Sequence, residues 1–161
     1  MRRLAVFPLA MLAIAVTTAL TGCAPTVTLD PAADATDPAC AAVIVALRNS
    51  DPLAELPARE TNAQGTAAWG SPVGVILRCG VPEPAPTATL PCFTVEGVDW
   101  LRDGSNDPQF VFTTYGRSPA VEVIVDDSLA SGLAALSEVA LSVGQLPSNG
   151  ACVSTEDTLA G

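Results

Sequence analysis

The chain contains no histidine and no lysine in 161 residues. Without histidine there is no Ser-His-Asp or Cys-His nucleophile pair, no histidine-ligated zinc or copper, and no side chain whose unperturbed pKa lies near neutrality. Without lysine there is no Schiff base, no Ser-Lys dyad and no phosphate-binding lysine of the P-loop type. The glycines stand singly in turns, and no G-x-G-x-x-G run marks a dinucleotide site. Positive charge is scarce as well, with seven arginines against 17 acidic residues. Such a field repels polyanions, which excludes nucleic acid as a partner and favours cations or positively charged proteins.

Catalysis would be left to carboxylates, as in glycoside cleavage by a pair of acids. Asp126 and Asp127 are adjacent, but a helix start explains them better. Asp103 and Asp107 share a polar turn that lacks the regular oxygen-ligand spacing and closing glutamate of a calcium loop. The reading is therefore of a protein that is not an enzyme and holds no cofactor and no metal.

What is present begins with an export address. Arg2 and Arg3 supply positive charge, Leu4 to Ala19 form an uncharged apolar stretch, and Leu20-Thr21-Gly22-Cys23 follows. The stretch is shorter than the ~20 residues of a membrane-spanning helix, and Thr17, Thr18 and Thr21 interrupt its end. Residues 1–22 are expected to be a signal peptide. The junction resembles the bacterial lipobox, whose cysteine is lipidated and becomes the first residue of the mature protein, so Cys23 is the expected lipid anchor. Two or more acyl chains would make that attachment durable. An ordinary secreted protein with an incidental cysteine is the alternative. The expected location is the extracytoplasmic face of the cell membrane.

Four further cysteines, Cys40, Cys79, Cys92 and Cys152, make an even number, and an oxidising compartment pairs them. No C-x-x-C knuckle argues for zinc instead. Of three pairings, Cys79–Cys92 with Cys40–Cys152 is preferred. The first would clamp neighbouring strands around a loop holding Pro82, Pro84, Pro86 and Pro91; the second would tie an opening helix to the closing segment.

Residues 23–38, rich in Ala, Pro, Thr and Asp, read as a flexible tether and 154–161 as a frayed tail. Between them, 39–153 form one domain. Asp37 caps an opening helix with Pro38 at its first position, and Cys40, Val43, Ile44 and Leu47 share one face. Four strands are expected: Val73 to Cys79; Phe93 to Leu101 with a bulge at Gly97 to restore its phase; Phe110 to Tyr115; and the alternating Val121, Val123 and Val125. Arg102 to Pro108 reads as the turn between the second and third strands. Asp127 or Ser128 would cap a second helix carrying Leu129, Leu133, Leu136, Ala140 and Val143 on one face, ended by Gly144. The fold class is thus α+β, a four-stranded, mostly antiparallel sheet with two helices on one face and two disulfides.

Aromatic residues make up only 4% of the chain. Trp69 and Trp100 read as core anchors; the sharper alternative is an exposed groove lined by Trp69, Trp100 and Tyr115 that would take a peptide, lipid or glycan. Arg78, beside Cys79 at a strand end, would pair with Asp99 or contact an anion. Trp69, Arg78, Trp100 and Tyr115 form the candidate binding surface.

Ala68-Trp69-Gly70, then Leu77-Arg78-Cys79-Gly80-Val81-Pro82, then Cys92-Phe93-Thr94-Val95-Glu96-Gly97-Val98-Asp99-Trp100, together with the Cys40 helix and Cys152, resemble the DUF3515 family of actinobacterial exported proteins. The resemblance spans Cys40 to Cys152. It implies no assigned activity and no ligand residues, but its cysteine pattern covers the four positions here and supports two disulfides. The leading functional expectation is a non-catalytic envelope lipoprotein that binds another envelope protein. A carrier of a lipid or cell-wall fragment is second, and a carboxylate-based hydrolase third.

Overall fold

The computed structural model describes residues 24–48 and 50–152, so Cys23, the expected signal peptide and the expected tail at 154–161 lie outside the described residues. Helix α1 (Pro38–Leu47) starts as its sequence predicts, with Pro38 in the first turn and the Asp37 carboxylate accepting from the Ala39 amide at 2.7 Å. The strands are β1 (Ala58–Arg59), β2 (Thr66–Trp69), β3 (Val75–Val81), β4 (Cys92–Val95), β5 (Val98–Asn106), β6 (Gln109–Thr114) and β7 (Ala120–Asp126), followed by α2 (Gly132–Val143). They form one seven-stranded sheet in the order β1-β2-β3-β7-β6-β5-β4. Every neighbouring pair is antiparallel.

The α+β class holds, but the sheet has seven strands where four were expected. Phe93 to Leu101 is a hairpin rather than one bulged strand. Glu96 and Gly97 both adopt positive φ, 48° and 75°, which suits the two-residue turn whose twist matches the flanking strands. That turn flips the facing that a bulge was invoked to explain. Arg102 to Asn106 belongs to β5 despite its turn-like composition, because β6 supplies pairing partners at Arg102, Asp103 and Asn106. β1 and β2 are short and poor in β-branched residues; pairing with β3 makes them strands.

Alternation places Val75, Leu77 and Cys79 of β3 and Val121, Val123 and Val125 of β7 on one face, all fully buried. Phe112 and Trp100 continue that face across β6 and β5. Both helices cover it, α1 through Cys40, Val43 and Leu47 and α2 through Leu136, Val139, Ala140 and Val143. α2 begins later than expected. Ser131, not Asp127 or Ser128, is its N-cap, while the Asp126 carboxylate closes the preceding turn by accepting from the Ser128 amide at 3.0 Å. The inward stripe shifts accordingly, leaving Leu133 66% exposed.

The cysteines pair as Cys40–Cys79 and Cys92–Cys152, which corrects both expected bridges, Cys79–Cys92 and Cys40–Cys152. The reason lies in the strand order: β3 and β4 are separated by three strands, so Cys79 and Cys92 are far apart. Cys79 faces the helices and meets Cys40 of α1. Cys92, opposite Leu101, faces the other side of the sheet, where the chain arrives after α2. Arg117 directs that arrival, donating to the carbonyls of Gly144 at 3.1 Å, Leu146 at 2.7 Å and Gly97 at 3.1 Å. Leu101 is thereby only 3% exposed although it points away from the helices.

The segment read as a tether is, from residue 24 onward, laid against the domain. Val27 bridges Thr61, Ala32 and Ala35 pack with Val81 and Ala120, and the Asp34 amide donates to the Gly80 carbonyl at 2.9 Å. Small side chains are what such close backbone approach requires, so an Ala- and Pro-rich composition serves contact as well as flexibility. Gly80 sits at a register shift in β3 with φ +91°, and a β-carbon there would strike the backbone of Asp34 and Ala35. Gly80→Ala is expected to cost about 1–3 kcal/mol and to speed hydrogen exchange at the Asp34 amide. An Asp34 amide already unprotected in the wild type would show that this segment does not dock.

Candidate functional site

The four residues expected to form a binding surface do not come together. Trp69 lies on the helix-covered face opposite Val75, is 2% exposed, and donates its indole N–H to the Ser50 carbonyl at 3.2 Å. Trp100 is 0% exposed on the same face, four strands away. At the usual spacing of neighbouring strands this separates the two by roughly 19 Å. Both are core anchors, and the groove of Trp69, Trp100 and Tyr115 is excluded. Tyr115 is half-buried just past β6, its amide bonded to the Asp99 carbonyl.

Arg78 points to the face without helices and pairs with Glu122, its cross-strand partner, at 3.1 Å. The expected partner Asp99 is engaged elsewhere, accepting from the Thr94 hydroxyl and the Cys152 amide. With side chains 30% and 19% exposed, the Arg78–Glu122 pair contributes only about 0.2–1 kcal/mol. Arg78 is a strand-register contact whose guanidinium is engaged by Glu122.

Among the described residues no group of acids and cysteines has the geometry to hold a metal ion. Several carboxylates serve turns and tethers, Asp37 capping α1 and Asp126 closing the turn after β7. Asp103 is held below its usual pKa by the backbone amide of Ser105 and then by its hydroxyl. Glu83 is held low by Ser118 and then Asn149, which fasten the Pro-rich loop to the β6–β7 turn and to the chain beyond α2. Such tethers are intact at neutral pH and are lost as pH falls through the lowered pKa.

Two hollows stand out instead. The larger, about 640 Å³, is a groove between α1 and the β1–β2 edge, with Ala41, Ile44 and Val45 on one wall and Ala67 and Trp69 on the other. Arg59 borders it, but that guanidinium is committed to the carbonyls of Gly70 and Pro25, both at 2.7 Å. The wall formed by α1 is unusual for a surface helix. It carries no polar side chain from Pro38 to Leu47, yet Ala41 and Ala42 are exposed and Val45 is 62% exposed. A helix apolar on all sides is normally enclosed on all sides. α2 adds Leu133 and Leu141, eight residues apart on one stripe, with Leu141 85% exposed. The signal for this site was in the sequence, as the lack of any polar residue opposite the Cys40, Val43 and Leu47 face.

The smaller hollow, about 350 Å³, lies where β5 and β6 emerge beside the first turn of α2, with Phe93, Phe110, Phe112, Arg102 and Leu133 among its lining. Here the sequence misled, because assigning Arg102 to a turn removed it from any face. In β5 it stands opposite Phe112 and lies 4.3 Å from the ring centre of Phe110.

An antiparallel sheet covered on one face by two helices and stapled by one disulfide on each face defines the class of protein. The family described as a protein of unknown function, DUF3515, matches residues 4–150, and the chain belongs to it. Among curated proteins and among solved structures nothing matches the chain.

Proposed function

We propose that this protein is a non-catalytic, lipid-anchored binding module of the cell envelope, held at the outer face of the membrane through Cys23, that grips another envelope protein in the groove beside α1. The observation that carries the reading is the bare apolar outer side of α1. Ala41 and Val45 are exposed at the groove without a polar neighbour on the same helix, and apolar surface concentrated in this way marks contact sites. Charge bears on the partner. A second copy would bring the same acidic excess and be repelled, whereas a partner with an apolar centre and a basic rim would be drawn in. The lack of histidine and lysine, together with the commitment of Asp126 to a turn, supports binding without catalysis.

The test is a photo-cross-linker placed at position 45 in intact cells, compared with one at Thr94 on the opposite edge of the sheet. An adduct at 45 alone is expected, and Val45→Glu in the native chain should abolish co-purification of the same partner while leaving the melting temperature within a few degrees. Equal adducts at both positions, or a partner retained by Val45→Glu, would overturn the reading. Recovery of the protein with an unmodified thiol at Cys23 would overturn the anchor separately.

A further inference from the structure

The smaller hollow suits a ligand of a different kind, and its chemistry does not depend on the partner reading. Three phenylalanines from two strands that flank β5, Phe93 of β4 and Phe110 and Phe112 of β6, line it, with Phe93 and Phe112 edge to face at 6.1 Å between ring centres. β5 supplies Arg102 between those strands. Its guanidinium stacks on Phe110, donates no hydrogen bond among the described residues, and meets no carboxylate within ion-pair distance. By contrast, the guanidinium groups of Arg59, Arg78 and Arg117 are each committed to carbonyls or a carboxylate. Arg102 is therefore a cation held in place by an aromatic ring with its donors open, and a planar fork of that kind matches a carboxylate or phosphate. α2 closes one side without filling the space. Gly132 has no side chain, and a β-carbon there would come within 3.1 Å of Phe112. Leu133, 66% exposed, stands over the opening.

We infer that this hollow binds a small amphiphilic anion, an acidic head group on an apolar body, with the head on Arg102 and the body among Phe93, Phe110 and Phe112. The volume of about 350 Å³ falls at the lower end of small-ligand sites, so the ligand is short-chained or has one ring. Asp127 also lines the hollow and is exposed, so it weakens the attraction that Arg102 provides. The arrangement thus selects for a charged head placed close to the guanidinium rather than for negative charge in general.

The experiment is a titration of the oxidised protein with decanoate and with decanol, both kept below aggregation, followed through amide and phenylalanine ring signals. Decanoate is expected to shift the signals of Phe93, Phe110 and Gly132 and to bind at least tenfold more tightly than decanol. Arg102→Gln, an exposed change that leaves the core intact, should weaken decanoate about tenfold and leave decanol unaltered. Asp127→Asn should tighten decanoate. Equal affinity for acid and alcohol, retention of decanoate by Arg102→Gln, weakening by Asp127→Asn, or shifts confined to the groove beside α1 would each overturn the inference. Decyl phosphate in place of decanoate distinguishes a phosphate from a carboxylate head; binding by either supports the site, and binding by neither overturns it.

Discussion

Replacing Cys40 and Cys79 together by alanine is expected to lower the unfolding free energy by about 4 kcal/mol, the chain-entropy value for a loop of this length, with some further loss from the two buried sulfurs. The bridge spans a sequence separation of 39 and both cysteines are 0% exposed, so it restrains the unfolded chain and fills the core at once. Cys92–Cys152 spans 60 residues and should contribute a similar amount, since the entropic term grows only with the logarithm of loop length. Together the two bridges approach the whole stability of an ordinary domain, so the fully reduced chain is expected to lose cooperative unfolding at moderate temperature. Non-reducing peptide mapping checks the pairing directly. A Cys79–Cys92 peptide would contradict the strand order, because it would bring together two strands that the sheet holds apart by three others.

Trp100→Ala should cost about 3–5 kcal/mol, among the largest single losses available to the domain. Trp100 is the largest wholly buried side chain and stands between Phe93 and Thr114 on the helix-covered face. Its indole N–H has no acceptor among the described residues, whereas that of Trp69 is bonded to Ser50. Phenylalanine at 100 therefore forfeits volume alone, while phenylalanine at 69 also strands the Ser50 carbonyl. Chemical denaturation of Trp100→Ala, Trp100→Phe and Trp69→Phe separates these contributions. A Trp100→Ala variant of wild-type stability that bound a partner poorly would return Trp100 to the surface role and remove it from the core.

The parts of the fold legible from the residues are those with strong local chemistry. Asp37-Pro38 starts α1 because a carboxylate cap and a proline act within one turn. The alternation of Val121, Val123 and Val125 marks β7 because one face is buried and the other is not. The missed elements lack such signals. β1 and β2 hold through hydrogen bonds to β3, and β5 runs on through Asp103 and Asn106 because β6 returns alongside. For the candidate sites the balance is similar. The apolar surround of α1 was visible in its residues, but no local pattern could place Arg102 over Phe110, which depends on the register of β5 against β6.

From the sequence alone came the chemistry the chain lacks, the acidic excess, the expected export address ending at Cys23, the α+β class, and the presence of two disulfides, all of which follow from residue types and short-range order. The tertiary structure alone decided which cysteines pair, that both tryptophans are interior, that residues 24–36 lie against the sheet, and which hollows remain open. Those outcomes depend on which strands become neighbours. Strand neighbours are set by the summed burial of surfaces distant in sequence, and no window of a few residues contains that sum.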